Sequence, residues 1–279
     1  MRERILSSAS KYIEEFKGKA FVVKYGGSML EDKVLSDSVL DDIVSFREKG
    51  INIVVVHGGG LRINALMKKR GKEPVFMHGL RITDKETAGI VDEALSQVNS
   101  DLVSRISAKG AQAEGLISRQ RHIIFAKKRF NAIAEDFLGD VDRIDTEGIK
   151  DVLDNKCIPI ISPVGIDKDD KLYNINADIA ASEIAAALKS EKLILLTNVK
   201  GVMEDKDDEK SLISHIAEEK VLELIDKGII SAGMIPKVKA GIKALDSGVK
   251  KVHIINGMIP HSLLLEIFTD EGVGTEIVK

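Results

Sequence analysis

The sequence predicts an α/β fold, a three-layer αβα sandwich around a mainly parallel open sheet, with a helical extension at the N-terminus. Three observations carry that expectation. Short apolar runs of β character (Phe21–Val23, Ile51–Val56, Ile123–Phe125, Ile158–Ile161, Leu193–Leu196 and Val252–Ile255) mostly lack polar alternation, the pattern of strands buried on both faces. Longer amphipathic segments separate these runs, and strand alternating with helix is the mark of a parallel sheet covered by helices. With 279 residues, 44% of them apolar, the chain suits one large domain or two lobes with a substantial core. Only 4% are aromatic and none is Trp, so aliphatic side chains must fill most of that core.

Taken in order, Ile5, Leu6, Ala9, Tyr12, Ile13 and Phe16 are spaced to form one apolar stripe on a helix ahead of the first strand. The strand at Phe21–Val23 runs into Lys24. A helix over 34–49 follows, with Val34, Leu35, Val39, Leu40, Ile43, Val44 and Phe46 at helical spacing. The second strand ends in Gly58–Gly60, where a helix over 61–70 begins. Another helix spans 84–109. The stretch 116–144, "LISRQRHIIFAKKRFNAIAEDFLGDVDRI", has short polar and apolar pieces and reads as hairpin or lid structure. Helices are expected over 146–155, over the Ala-rich 178–189, over 216–227 and over 236–247. Residues 204–210, "EDKDDEK", read as a solvated turn.

Charge narrows the function classes. There are 41 Lys and Arg against 44 Asp and Glu, a formal charge of -3, where a dedicated nucleic-acid binder carries a basic excess. The lone cysteine, Cys157, forms no internal disulfide, and its apolar neighbours predict a small core residue. The first residues lack the continuous apolar stretch of a signal peptide, and no apolar run approaches the ~20 residues that span a bilayer. A cytoplasmic protein without membrane partners is expected.

Chemistry-bearing residues cluster at strand ends. In "FVVKYGGS" Gly26 and Gly27 permit close backbone approach and unusual dihedrals, and their N–H groups can face an anion beside the Lys24 ammonium. "VVVHGGGLR" is a second such turn, so two glycine-rich loops suggest a polyanionic ligand. Neither matches the common nucleotide fingerprints. His57 is expected to hydrogen-bond backbone rather than act in catalysis. In "YNINADIAA", Asn174 and Asn176 alternate with Ile175 along an extended segment and so face one way. Asp178 opens the Ala-rich helix, either as its N-cap or as an acid that orients cationic groups or metal near phosphates. Lys237, just after Pro236 at a helix start, fits poorly with the positive end of the helix dipole, as a lysine serving an anion would.

Strand-Lys-x-Gly-Gly-Ser, HGGG, "HGLRIT", "NINAD" and "GMIPKV", in that order, resemble the amino-acid kinase family over nearly the whole chain. The resemblance implies ATP-dependent phosphorylation of the side-chain carboxylate of N-acetyl-L-glutamate, giving an acyl phosphate for arginine biosynthesis, with Mg²⁺ carried by ATP. It gives residues 21–177 to an amino-acid lobe, 178–279 to a nucleotide lobe and 1–20 to the extension. Lys24 and Lys237 would stabilise the transferring phosphoryl group and Asp178 would hold those lysines. Gly59, Gly60, Arg81, Asn174 and Asn176 would bind the acceptor. Gly26, Gly27, Asn198, Gly201, Met203, Ile230 and Ser231 would hold the nucleotide. The two ends of the chain resemble the arginine-sensitive hexameric branch, in which Tyr12, His253, Glu266 and Gly272 would shape an arginine site. The assembly implied is a trimer of dimers linked through interlaced N-terminal helices, or a dimer. Leu61 replaces a proline common in the family, Asn198 an aspartate, and "ISRQRHII" a substrate-side "SGKD". Those departures leave two alternatives open: a kinase for another acidic amino acid, such as an aminoadipate derivative, and a catalytically weak arginine sensor.

Overall fold

A computed structural model of the chain describes residues 1–77, 79–129, 136–205, 207–230 and 233–279. In chain order the elements are α1 (Arg2–Ser8), α2 (Ser10–Phe16), β1 (Ala20–Tyr25), α3 (Lys33–Glu48), β2 (Asn52–His57), α4 (Gly60–Lys69), β3 (Phe76–Met77), β4 (Leu80–Arg81) and α5 (Lys85–Ala108). There follow β5 (Ala113–Leu116), β6 (Ile124–Lys128), β7 (Gly139–Ile144), α6 (Thr146–Asp154), β8 (Ile158–Ile161), β9 (Val164–Ile166), β10 (Leu172–Asn174) and α7 (Ala177–Ala187). The chain finishes with β11 (Lys192–Thr197), β12 (His215–Ala217), α8 (Val221–Asp226), α9 (Ile235–Asp246), β13 (Lys251–Asn256), α10 (Ser262–Phe268) and β14 (Thr275–Val278). The α/β class and the mainly parallel pairing expected from sequence are both present.

Two compact units divide the chain: Met1–Ile53 together with Ala185–Lys279, and Val54–Ile184. These packing units cut the chain elsewhere than the lobes the family resemblance implied, because β1 and α3 pack with the C-terminal segments. In the first unit the strand order is β12-β14-β13-β11-β1. The β1–β11 and β11–β13 pairs are parallel, with Lys24 opposite Leu195 and Thr197 opposite Asn256, while β14 runs antiparallel to β13. Phe21, Val22 and Val23 are fully buried, as are Leu193–Leu195, which explains their lack of alternation. The scarce aromatics gather here: Phe16 meets Phe21 edge-on, Phe21 meets Phe46, and Phe46 meets Phe268 at 5.2 Å between ring centroids. The helical stripe expected at the N-terminus is real but broken. Ala9 interrupts it between α1 and α2, and both helices pack on α10 of the same chain.

In the second unit β2, β8 and β5 are parallel neighbours. A smaller sheet is ordered β10-β9-β6-β7, and β3 and β4 form a hairpin. The α4–α5 pair closes one core through Ile63, Met67, Ile90, Leu95 and Val164. Helix ends follow capping chemistry: Asp32, Asp84 and Asp145 each accept backbone N–H bonds at the starts of α3, α5 and α6.

Two sequence expectations fail for physical reasons. Residues 216–227 are not one helix; His215–Ala217 pairs with β14 as a strand, because an open sheet edge outweighs the helix propensity of "AEEK". Cys157 is half-buried beside Gln112 rather than in the core, since it precedes the buried strand instead of belonging to it. The stretch 116–144 does hold the β6–β7 hairpin, while its centre, 130–135, lies outside the described residues. Among the described residues, no helix is long and apolar enough to cross a membrane.

Candidate active site

In the first unit a cavity of about 690 Å³ opens where β11 ends. Thr197, Asn198, Gly201 and Met203 line it on one side, and Ile229, Met234 and Lys237 on another. Lys237 stands in the first turn of α9, whose Pro236 suits a helix start. Lys24 is the last residue but one of β1, the parallel neighbour of β11, so both lysines lie near strand and helix ends of this one unit. Gly26 is buried, and Gly27 is exposed with φ +77°, a conformation that favours glycine, in open space. Gly201 has φ +149°, and a Cβ there would lie 2.5 Å from Thr275 Oγ1. That hydroxyl accepts from Val202 N and donates to the Ile213 carbonyl, so it cannot yield. Ile230 is buried at 2% exposure and does not face the cavity, whereas its neighbour Ile229 does. Ser231 lies outside the described residues.

In the second unit Arg81 is 7% exposed. Its Nη2 donates to Asn64 Oδ1 at 2.6 Å and to the Gly60 carbonyl at 3.4 Å, and the guanidinium lies over the Phe76 ring. No carboxylate neutralises it among the described residues. Burial lowers its pKa from the ordinary value, the sign of a charge held at a desolvation cost. Gly59 is extended, and a Cβ there would sit 2.6 Å from Leu95 Cδ2, so a side chain would have to displace the buried Leu95 of α5. Asn174 donates to Thr83 Oγ1 at 3.1 Å. Asn176 Oδ1 accepts from the N–H groups of Asp178 and Ile179, so Asn176, not Asp178, caps α7. Asp178 is buried in the first turn of α7.

His57 makes the backbone bond expected of it, with Nδ1 2.9 Å from the Gly58 carbonyl. Full burial pushes its pKa down to about 4. The unfolded chain therefore takes up a proton near pH 6.5 that the folded protein refuses. The associated stability is whole above about pH 6.5 and is lost as pH falls toward 4, on the order of 3 kcal/mol. Denaturant unfolding of wild type and His57→Asn between pH 7 and 4.5 checks this: the wild-type curve should fall more steeply, and parallel curves would count against it.

A third cluster lies in the first unit. Tyr12, His253, Glu266 and Gly272 line a single cavity of about 370 Å³. Glu266 Oε1 meets His253 Nδ1 at 2.7 Å, and Oε2 accepts from Val273 N and Gly274 N. Burial pushes the Glu266 pKa up, but those bonds more than offset it and hold the carboxylate ionised. Gly272, at φ +64°, brings the loop against it, since a Cβ there would be 3.0 Å from Oε2. Tyr12 donates its hydroxyl to Asp270. The sequence reading missed Lys192, whose Nζ lies 3.1 Å from His253 Nε2 and whose pKa burial lowers to about 8. A lysine opening an otherwise apolar buried strand was the available signal. Glu15, Glu191, Asp270, Glu271 and Glu276 also line the cavity, an acidic excess over Lys192 and Lys251.

Lys24 and a glycine turn at the end of β1, with a cavity lined by Lys237 in the same unit, suit a ligand that carries phosphate, the mark of a phosphotransferase. Sequence comparison narrows the class: residues 19–256 match the profile described as the amino acid kinase family, and the chain belongs to that family. It is 45% identical over 100% of its length to the acetylglutamate kinase of Methanococcus aeolicus, covering 98% of that protein. It is 46% identical to the acetylglutamate kinase of Caldanaerobacter subterraneus, at 100% and 94% coverage. Among solved structures, N-acetylglutamate synthase from Neisseria gonorrhoeae, complexed with coenzyme A and N-acetyl-glutamate, superposes with a TM-score of 0.87 at 26% identity. That match covers 99% of this chain and 63% of the synthase.

Proposed function

We propose that the chain transfers the γ-phosphoryl group of ATP to the side-chain carboxylate of N-acetyl-L-glutamate, forming an acyl phosphate. The observation that carries the reading is Arg81, a nearly buried guanidinium beside the HGGG loop with no acidic partner among the described residues, in a chain whose full-length relatives are acetylglutamate kinases. A ligand carboxylate matches the guanidinium fork and removes the cost of its burial. The acceptor carboxylate is ionised at neutral pH, so the transfer needs no strong base. It needs positioning and charge stabilisation. Lys24 and Lys237 supply positive charge at the phosphoryl group, and Asp178 is the acid that orients cationic groups. Gly26, Gly27, Asn198, Gly201 and Met203 accommodate the nucleotide; Gly59, Gly60, Asn174 and Asn176 the acceptor. Mg²⁺ would travel with the nucleotide phosphates and water; among the described residues no cluster of three His, Cys, Asp or Glu side chains is formed to hold it.

The test is ADP release with ATP, Mg²⁺ and N-acetyl-L-glutamate, with hydroxylamine trapping the acyl phosphate. Turnover of an aminoadipate derivative alone would move the assignment to the rival acid. Product from neither acid would favour the sensor.

The acidic cavity around Glu266 suits a guanidinium ligand, and L-arginine is the effector proposed for it, acting in an oligomer built through α1 and α2. Glu266→Gln removes the ionised acceptor. It should raise the arginine concentration for half-inhibition at least about tenfold, or 1.4 kcal/mol. An unchanged inhibition curve, read in the same assay, would remove Glu266 from the effector site.

A further inference from the structure

The HGGG loop is held by a buried polar network that lies wholly within the second unit and that the roles above leave unused. His57 is fully buried at the end of β2. Its Nδ1 faces the Gly58 carbonyl at 2.9 Å. A carbonyl only accepts, so Nδ1 carries the proton and Nε2 is the acceptor. Nε2 meets Ser162 Oγ at 3.1 Å and Asn99 Nδ2 at 3.2 Å, both able to donate. Asn99, 2% exposed on α5, is itself fixed, since its Nδ2 donates to the Ile160 carbonyl at 2.7 Å. Its Oδ1 fills the space beside Gly115, where a Cβ would come within 2.2 Å. Asn99 Nδ2 also lies 3.4 Å from Ser162 Oγ, and the Nδ1–H tautomer is the one that satisfies both faces of the imidazole.

The consequence falls on the glycines. The Gly58 carbonyl is bound by His57, the Gly59 carbonyl accepts from Ile63 N at 2.9 Å, and the Gly60 carbonyl accepts from Arg81. A trans peptide points its N–H opposite its C=O, so pinning the Gly58 carbonyl toward His57 turns the Gly59 N–H the other way. The N–H groups that open α4 have no acceptor within the helix. We propose that His57 is a positioning residue for acyl-phosphate formation: its Nδ1–H, kept in that tautomer by Asn99 and Ser162, orients the Gly58–Gly59 peptide so that the Gly59 N–H meets charge on the acceptor carboxylate in the transition state. This rests on the acceptor site proposed above.

Two substitutions separate the ring nitrogens. The amide of His57→Asn places a donor near the Nδ1 locus, and that of His57→Gln reaches the Nε2 locus instead. His57→Gln should lose about 10²-fold in kcat with KM for ATP unchanged, the scale of a misplaced loop. His57→Asn should stay within about fivefold of wild type. Thermal unfolding of both variants accompanies the kinetics. Equal kcat losses, losses that track melting temperature, or no loss in either variant overturns the proposal. A long-range ¹H–¹⁵N imidazole spectrum of the wild-type protein gives a readout independent of folding of the variants. An Nδ1–H tautomer is expected; an Nε2–H tautomer overturns it. The kinetic comparison is run on whichever acid the wild type phosphorylates, so a wrong acceptor and a wrong role for His57 give different results.

Discussion

Lys237→Ala should lower kcat by about 10²- to 10³-fold while leaving the melting temperature nearly unchanged. The side chain is half-buried in the first turn of α9 and lines the 690 Å³ cavity, so its removal exposes no core and leaves no void in one. Substitutions of that kind shift stability by about 0.5 kcal/mol or less. In the proposed transfer its ammonium would act on charge that develops as the phosphoryl group leaves ADP, where one electrostatic contact is worth about 3 to 4 kcal/mol. The loss should therefore fall on kcat and kcat/KM together, with little change in KM for ATP. Steady-state kinetics and calorimetric unfolding of the same preparation decide. A variant that melts early yet keeps full turnover in its folded fraction would make Lys237 a structural residue.

Arg81→Leu should separate binding from stability in the opposite sense. The guanidinium is an uncompensated buried cation, and an apolar group of similar reach is neutral or stabilising at such a place. Asn64, half-exposed, can exchange its lost bond for water. Melting should hold steady or rise. KM for the acceptor should rise by roughly 30- to 4,000-fold, because truncating one side of a desolvated charge pair costs about 2 to 5 kcal/mol. KM for ATP should not follow. A large fall in stability with an unchanged acceptor KM would show that Arg81 serves the fold.

The features legible in the sequence were those written in adjacent residues. An apolar run ending in Lys24 and two glycines announces a buried strand and the glycine turn that follows it. Gly58–Gly60 announces a second such turn. The helices over 34–49 and 84–109 were legible because their apolar spacing persists over several turns and each has an aspartate at its start. What stayed hidden depends on partners far along the chain. Strand β12 exists because β14 offers an edge, and nothing in "HIA" itself declares a strand. The capping role of Asn176 was obscured by Asp178, an equally good capping residue two positions later. Lys192 reads as a strand-opening surface lysine until His253, 61 positions on, is placed beside its Nζ. Burial of Arg81 likewise depends on Asn64 and Phe76 folding around it.

The discontinuous first unit has a consequence for synthesis. Residues 54–184 are one uninterrupted stretch, whereas the ring cluster of Phe16, Phe21 and Phe46 is completed only by Phe268, which lies beyond that stretch. On the ribosome the middle of the polypeptide can therefore mature first, while the opening segment waits, greasy and unshielded, for the tail. Protease applied to nascent chains arrested far enough past Ile184 for that residue to clear the ribosomal tunnel should spare 54–184 and cut within 1–53; equal protection of both stretches would mean that the beginning finds shelter without the end.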